Sequence, residues 1–187
     1  RICVRSSSNV YNQSLLAGLI EAEGAEAAES WAAGIVANMA RPPQGGDTDQ
    51  IRAIAAGQCD VAIVNHYYLA RLERSEDPAD AEVAEAVDLV IADLAGRGAH
   101  TNISGAGLAA GAPNRDQAVR FLEFLLSDEA QRAFAELTNE YPVIDGAAYE
   151  NPVLDGWGEI ESDPVNVNAL GENAGQAQRI FDRVGWP

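Results

Sequence analysis

Short apolar runs, each followed within a few residues by an amphipathic stretch, constrain this 187-residue chain more than any other feature. The clearest is Val61-Ala62-Ile63-Val64. Four apolar residues in a row leave no polar face, the pattern of a strand buried on both sides in a parallel sheet. Ile2 to Val4 reads the same way; the polar turn Ser6-Ser7-Ser8-Asn9 follows it, and a helix is predicted over 12–23, closed by Gly24. Helices are also predicted over 26–40, stopped by Arg41-Pro42-Pro43, and over 49–56, capped by Asp47 or Thr48 and stopped by Gly57. Beyond Val64 a short helix runs through Arg74, then an acidic helix over 79–86 and a strand over 87–91. A Gly-rich strand at about 100–108 precedes helices over 115–126 and 128–137, an irregular stretch over 151–167 and a last helix over 172–184. Strands alternating with helices predict an α/β fold, mostly parallel sheet with helices on both faces.

The charge balance removes whole classes of function. There are 29 acidic residues against 12 basic, a net charge of −17, and every basic residue is arginine. A chain that neutralises phosphates needs a basic face, so nucleic acid is excluded as a partner, and an anionic membrane surface is disfavoured on the same ground. Apolar residues make up 47% of the chain, enough for a core, and the carboxylates form no block of like charge, so they belong to a solvated surface. No apolar stretch approaches the roughly 20 residues that cross a bilayer. The chain opens on Arg1-Ile-Cys-Val-Arg5 with no methionine and no leader, which predicts a processed or truncated start. Cys3 and Cys59 lack metal-type spacing. Two free buried thiols are expected, although neighbouring strands about 4.8 Å apart would place them within bridging range.

Cys3 precedes Tyr11 by eight residues, and Cys59 precedes Tyr67 by eight. Each tyrosine therefore lies just past the carboxyl end of a strand, the edge where open α/β sheets bind ligands. A single tyrosine there usually packs with its hydroxyl in water; the adjacent pair Tyr67-Tyr68, led by Asn65-His66, is less ordinary. Phenols are neutral at pH 7 and serve Ca²⁺ or Mg²⁺ poorly. A small trivalent cation displaces the phenol proton, and hard oxygen anions match Fe³⁺ better than copper or zinc.

Several passages carry a family resemblance: Arg5-Ser-Ser-Ser-Asn-Val-Tyr11, Gly46-Asp-Thr-Asp-Gln-Ile-Arg52, Asp60-Val-Ala-Ile-Val-Asn-His-Tyr-Tyr-Leu69, Asn102-Ile-Ser-Gly-Ala-Gly107, Asn139-Glu-Tyr-Pro142 and Arg179-Ile-Phe-Asp-Arg183. In them the chain resembles the periplasmic ferric-ion-binding proteins that feed ABC iron importers, within the class II solute-binding proteins. The resemblance implies a two-lobed protein, a monomer and not an enzyme, that holds Fe³⁺ between its lobes through tyrosinates and delivers it to an inner-membrane permease. Carried onto this chain, the metal ligands are Tyr11, Tyr67 and Tyr68. It further implies that 1–97 begins the C-terminal lobe, 98–148 belongs to the N-terminal lobe after a crossing near 96–99, and 149–187 returns. Most of the N-terminal lobe, with its His-Tyr pair, has no counterpart here, so the helices over 115–137 are expected to lack their own sheet. The implied location is the periplasm, or an exported and membrane-associated state.

His66 is expected beside the metal as a neighbour of the ligands. Arg5 with Ser6 to Ser8 either holds a small anion such as carbonate or caps the helix that follows. The first alternative to iron is therefore a small oxyanion or organic solute held by Arg5 and Ser6 to Ser8; the adjacent phenols argue against it, since an oxyanion needs donors. The second is an enzyme using a tyrosine as acid or base, disfavoured because no strong base lies near it in the sequence. Gly105-Ala-Gly-Leu-Ala-Ala110 matches a dinucleotide pattern, but Pro113 follows and no helix starts inside it. P-loop and G-x-S-x-G motifs are absent. Asn12-Gln-Ser14 and Asn102-Ile-Ser104 fit the glycosylation pattern, which is common by chance.

Overall fold

β1 (Ile2–Cys3) leads through a six-residue loop to α1 (Val10–Glu23), then α2 (Ala25–Ala37), α3 (Asp47–Ala55), β2 (Val61–Ala62), α4 (His66–Glu73) and α5 (Pro78–Glu85). Among the described residues after 86 the next elements are α6 (Arg115–Leu125) and α7 (Asp128–Ala133), a π-helical turn over Phe134–Thr138, α8 (Pro152–Trp157) and α9 (Val167–Val184). These elements are those of a computed structural model that describes residues 1–93 and 96–187. The chain forms two compact units, one of Arg1–Asn102 with Ile160–Pro187 and one of Ile103–Glu159.

In the larger unit β1 and β2 pair in parallel, Ile2 with Val61 and Cys3 with Ala62. On its other side Ile2 forms a parallel bridge to Met39, its N–H donating to the Asn38 carbonyl and its carbonyl accepting from Ala40 N–H. That pairing ends α2 at Ala37, three residues short of the helix expected over 26–40. The expected doubly buried strand over 61–64 is ladder-paired over two residues only, and Val61 is 56% exposed. The strands expected over 87–91 and 100–108 do not form. Apolar residues there find no ladder partner among the described residues, and Val90 stands in solvent. One isolated bridge, Ala99 with Ser162, is what remains of the second. Gly98 enters that bridge at φ +94°, where a Cβ would sit 2.5 Å from the Glu161 carbonyl oxygen, so the position requires glycine.

The core lies where α1 packs against α2 and α9. Leu170, Ala177, Ile180 and Phe181 form the buried stripe of α9, meeting Val4, Leu16, Leu19, Ile20, Ala28 and Ala32. Phe181 makes an edge contact with Trp186 at 4.9 Å, and the Trp186 indole N–H donates to the Arg5 carbonyl at 3.0 Å. A smaller cluster of Cys3, Ala53 and Cys59 sits under α3. Cys3 and Cys59 are joined as a disulfide, which corrects the expectation of free thiols: β1 and the turn before β2 bring their Cα atoms to 5.9 Å.

The smaller unit is held by amides as much as by apolar contacts. The buried Asn151 amide donates to the Ala135 carbonyl at 2.7 Å and to Asn139 Oδ1 at 2.9 Å. Gln131 bridges the Leu125 carbonyl and the Val143 N–H. No strand occurs in this unit among the described residues.

Two outcomes follow for stability. Phe181→Ala is expected to cost about 3–5 kcal/mol in denaturant unfolding, since it empties a fully buried site. Thiol titration of the unreduced protein in denaturant is expected to find no free cysteine, and reduction to cost about 4 kcal/mol, the chain entropy of freeing a loop closed across 56 residues.

Candidate metal centre

Tyr11 and Tyr67 are each the second residue of a helix, α1 and α4. From the paired residues Cys3 and Ala62, Tyr11 lies eight residues on and Tyr67 five. The difference is absorbed by the loops, six residues over 4–9 and three over 63–65, so both helices start at the same edge of the pairing. Asn9 caps α1, its Oδ1 accepting from Tyr11 and Asn12 N–H. Asn12 is buried and its amide donates to the carbonyls of Arg5 and Ser6, holding the loop against the helix. Asn65 is the cap residue of α4 but its side chain makes no cap bond; it donates to Asp47 Oδ2 at 3.2 Å.

The phenols converge. Tyr67 Oη donates to Tyr11 Oη at 3.0 Å, and the Tyr67 and Tyr68 rings lie 4.6 Å apart, tilted by 32°. His66 meets the Tyr67 ring edge-on at 5.7 Å. Arg71, one helical turn beyond the pair, places its guanidinium 5.2 Å from the Tyr67 ring and 5.1 Å from the Tyr68 ring. Arg5 lies 5.7 Å from the Tyr11 ring. Burial pushes the Tyr67 hydroxyl well above the ordinary phenol range, and its hydrogen bonds to Tyr11 and Tyr68 push it the same way. The cluster is three half-buried phenols with cationic neighbours, and ionising Tyr67 requires something that outweighs the cost of removing its proton. Among the described residues no group of three His, Cys, Asp or Glu side chains is placed to hold a metal ion.

The structure brings together Tyr11, Tyr67 and Tyr68, and places His66 beside them. Arg5 Nη1 is bonded to Asp47 Oδ1 at 3.2 Å, and the Ser6 and Ser8 hydroxyls bond each other at 2.8 Å, which leaves further donors on both groups. They do not cap the helix, which starts at Val10 with Asn9 as cap. Three features escaped the sequence. Arg71 was legible as the residue four beyond Tyr67 and three beyond Tyr68, a spacing that shares a helix face. Asp47 looked like a helix cap. His100 is half-buried and its ring nitrogen lies 3.5 Å from Ser14 Oγ, which donates to the Tyr11 carbonyl; burial holds the imidazole below its ordinary value, opposed by Asp163.

The short parallel pairing and the flanking helices are those of a class II solute-binding protein. The structure superposes on the Trichodesmium protein (IdiA, FutA) in complex with iron and citrate ligands with a TM-score of 0.94 at 50% identity, covering all of this chain and 59% of that one. The ferric binding protein from Campylobacter jejuni gives 0.94 at 34% identity, with the same coverage. Residues 6–161 match the bacterial extracellular solute-binding proteins, and the chain belongs to that family. Iron uptake protein A2 of Synechocystis sp. is 52% identical over 188 residues, 100% of this chain and 54% of that protein. The chain thus spans about half the length of the curated relatives it matches.

A raised phenol has a measurable signature. The folded state keeps the Tyr67 proton to higher pH than the unfolded chain, whose tyrosines titrate near about pH 10. That contribution to stability is complete below about pH 10 and is lost as pH rises toward the folded value. Unfolding midpoints of the metal-free protein are therefore expected to fall above about pH 10, and to fall less steeply in Tyr67→Phe; an equal slope in both would show that Tyr67 is not the group responsible.

Proposed function

We propose that this chain carries the ferric-ion grip of an exported solute-binding protein, and that Tyr11, Tyr67 and Tyr68 bind Fe³⁺ as phenolates. The observation that carries the reading is the 3.0 Å contact between Tyr67 Oη and Tyr11 Oη, with the tilted Tyr68 ring 4.6 Å from that of Tyr67. Two phenol oxygens at hydrogen-bond distance, drawn from helices 56 residues apart, need only lose their protons to become adjacent hard anionic donors. The positive charge of Arg5 and Arg71 at the ring faces offsets part of the negative charge that then accumulates. The relatives point the same way, one named for iron uptake and one solved with iron and citrate ligands.

The ion is cargo, and the protein performs no reaction on it. In the whole protein we place the site in a cleft between a C-terminal and an N-terminal lobe, with Tyr11, Tyr67 and Tyr68 on the C-terminal one. Delivery is to the permease of an ABC importer in the inner membrane, from a periplasmic or exported, membrane-associated location. The alternative is a small oxyanion held by Arg5 and the serines, and the adjacent phenols argue against it, since an oxyanion needs donors.

Titration of the metal-free protein with a ferric chelate is expected to produce a broad visible band from phenolate-to-iron charge transfer. The band is expected to vanish in the Tyr11, Tyr67 and Tyr68→Phe triple variant; a band that survives it overturns the assignment. Each phenolate ligand releases one proton on binding, so apparent affinity is expected to fall on acidification by about tenfold per pH unit per displaced proton. Affinity independent of pH would rule out phenolate ligation.

A further inference from the structure

Asp47 is among the most deeply buried acids of a chain that already carries a net charge of −17; it is 2% exposed. Removing a carboxylate from water costs several kcal/mol unless charged or well-placed donors replace the lost hydration. Here the two oxygens are divided between two pieces of chain. Oδ1 accepts from Arg5 Nη1 at 3.2 Å, while Oδ2 accepts from the Asn65 backbone N–H at 3.0 Å and from the Asn65 side-chain amide at 3.2 Å.

Arg5 belongs to the loop that ends at Tyr11, and Asn65 to the loop that ends at Tyr67 and Tyr68. We propose that Asp47 is a positioning residue for the tyrosine cluster: one carboxylate ties the loop before Tyr11 to the loop before Tyr67 and sets the spacing of their phenols. As a helix start, Asp47 is not needed. The free N–H of Gly46 before α3 is already taken by Asp49 Oδ2 at 2.6 Å, and the Gly46 carbonyl accepts from Asp49 and Gln50 N–H. With that end satisfied locally, the Asp47 oxygens turn to the two loops.

Each arm ends on something that fixes a tyrosine. The Arg5 guanidinium lies at the Tyr11 ring face, and the Arg5 carbonyl is held by Asn12 and Trp186, so the loop around it is itself anchored to α1 and to the chain end. The Asn65 N–H is fixed one residue before α4 begins and two before Tyr67. A hydrogen bond between two phenols weakens within a few tenths of an ångström, so its survival depends on both loops holding station. The functional consequence rests on the ferric reading; the spacing itself does not.

The test compares Asp47→Asn with Gln50→Met, each studied well below its own unfolding midpoint. Asparagine keeps the shape, removes the charge facing Arg5 and cannot accept on both sides. Gln50 is equally buried in the same helix, but its bonds run to Gln44, Gly46 and Arg41 and to neither tyrosine loop. Two measurements are made: the Tyr67 Oη to Tyr11 Oη distance in metal-free crystals, and ferric affinity with the visible band. In Asp47→Asn the phenols are expected to separate beyond hydrogen-bond distance, and affinity to drop about 10- to 100-fold with an altered band, as when a partner supporting a metal ligand is removed. In Gln50→Met stability is expected to fall while spacing and affinity hold. Unchanged spacing in Asp47→Asn, or an equal loss of affinity in Gln50→Met, overturns the proposal. If Asp47→Asn does not fold, Arg5→Gln and Asn65→Ala each remove one arm and are judged by the same two measurements. A wild-type protein that takes up no iron refutes the ferric reading, and the phenol spacing alone then decides the role of Asp47.

Discussion

The parallel pairing of Ile2 with Val61 and Cys3 with Ala62 is the constraint from which the rest follows. Parallel neighbours run toward the same edge, so whatever each strand leads into must emerge there. Here each leads into a helix whose second residue is a tyrosine. The pairing is only two residues long, too short to hold two distant segments by ladder bonds alone. The Cys3–Cys59 disulfide and the bridge to Met39 brace it from either side, and the α1, α2 and α9 core presses on the same strand through Val4.

Equal spacing of each cysteine from its tyrosine anticipated that these phenols meet, by an incomplete argument. The cysteines are not level in the pairing: Cys3 faces Ala62, three residues beyond Cys59. What brings the phenols together is that the first loop is three residues longer than the second, which restores the helix starts to one edge. Loop length is visible in a sequence only once strand and helix ends are known to the residue, and those ends are the least legible part of any chain. The choice of Tyr11, Tyr67 and Tyr68 therefore came from chemistry and resemblance, and the geometry supplies the reason they meet.

Most helices were legible because they carried their own stops, as Gly24 after α1 and the prolines and glycines around α3, whereas α8 and the start of α9 fall in the stretch expected to be irregular. Strands were not, because a strand is defined by a neighbour that local sequence does not show. The runs at 61–64 and 87–91 look alike in composition, yet the first finds β1 beside it and the second finds nothing among the described residues. Side chains that act across the fold were hidden for the same reason. Asp47 reads as a helix cap until Arg5 and Asn65 are seen to share its carboxylate.

The acidity of the chain fits the same picture. A surface rich in carboxylates is tolerable where water solvates them, and the exceptions are informative because a buried acid must be compensated. Asp47 and Asp163 are both buried and each is paired with an arginine, Arg5 and Arg97 respectively. Asp163 also accepts from Val165 N–H, and its backbone N–H bonds the Ala99 carbonyl in the Ala99–Ser162 bridge. Both acids therefore sit where segments distant in sequence are brought side by side, one at the tyrosine loops and one beside the bridge next to Gly98. In a chain with no lysine, the flat guanidinium is the cation available for both pairs, and its several donors allow one side chain to bond an acid while its face lies against a phenol, as Arg5 does.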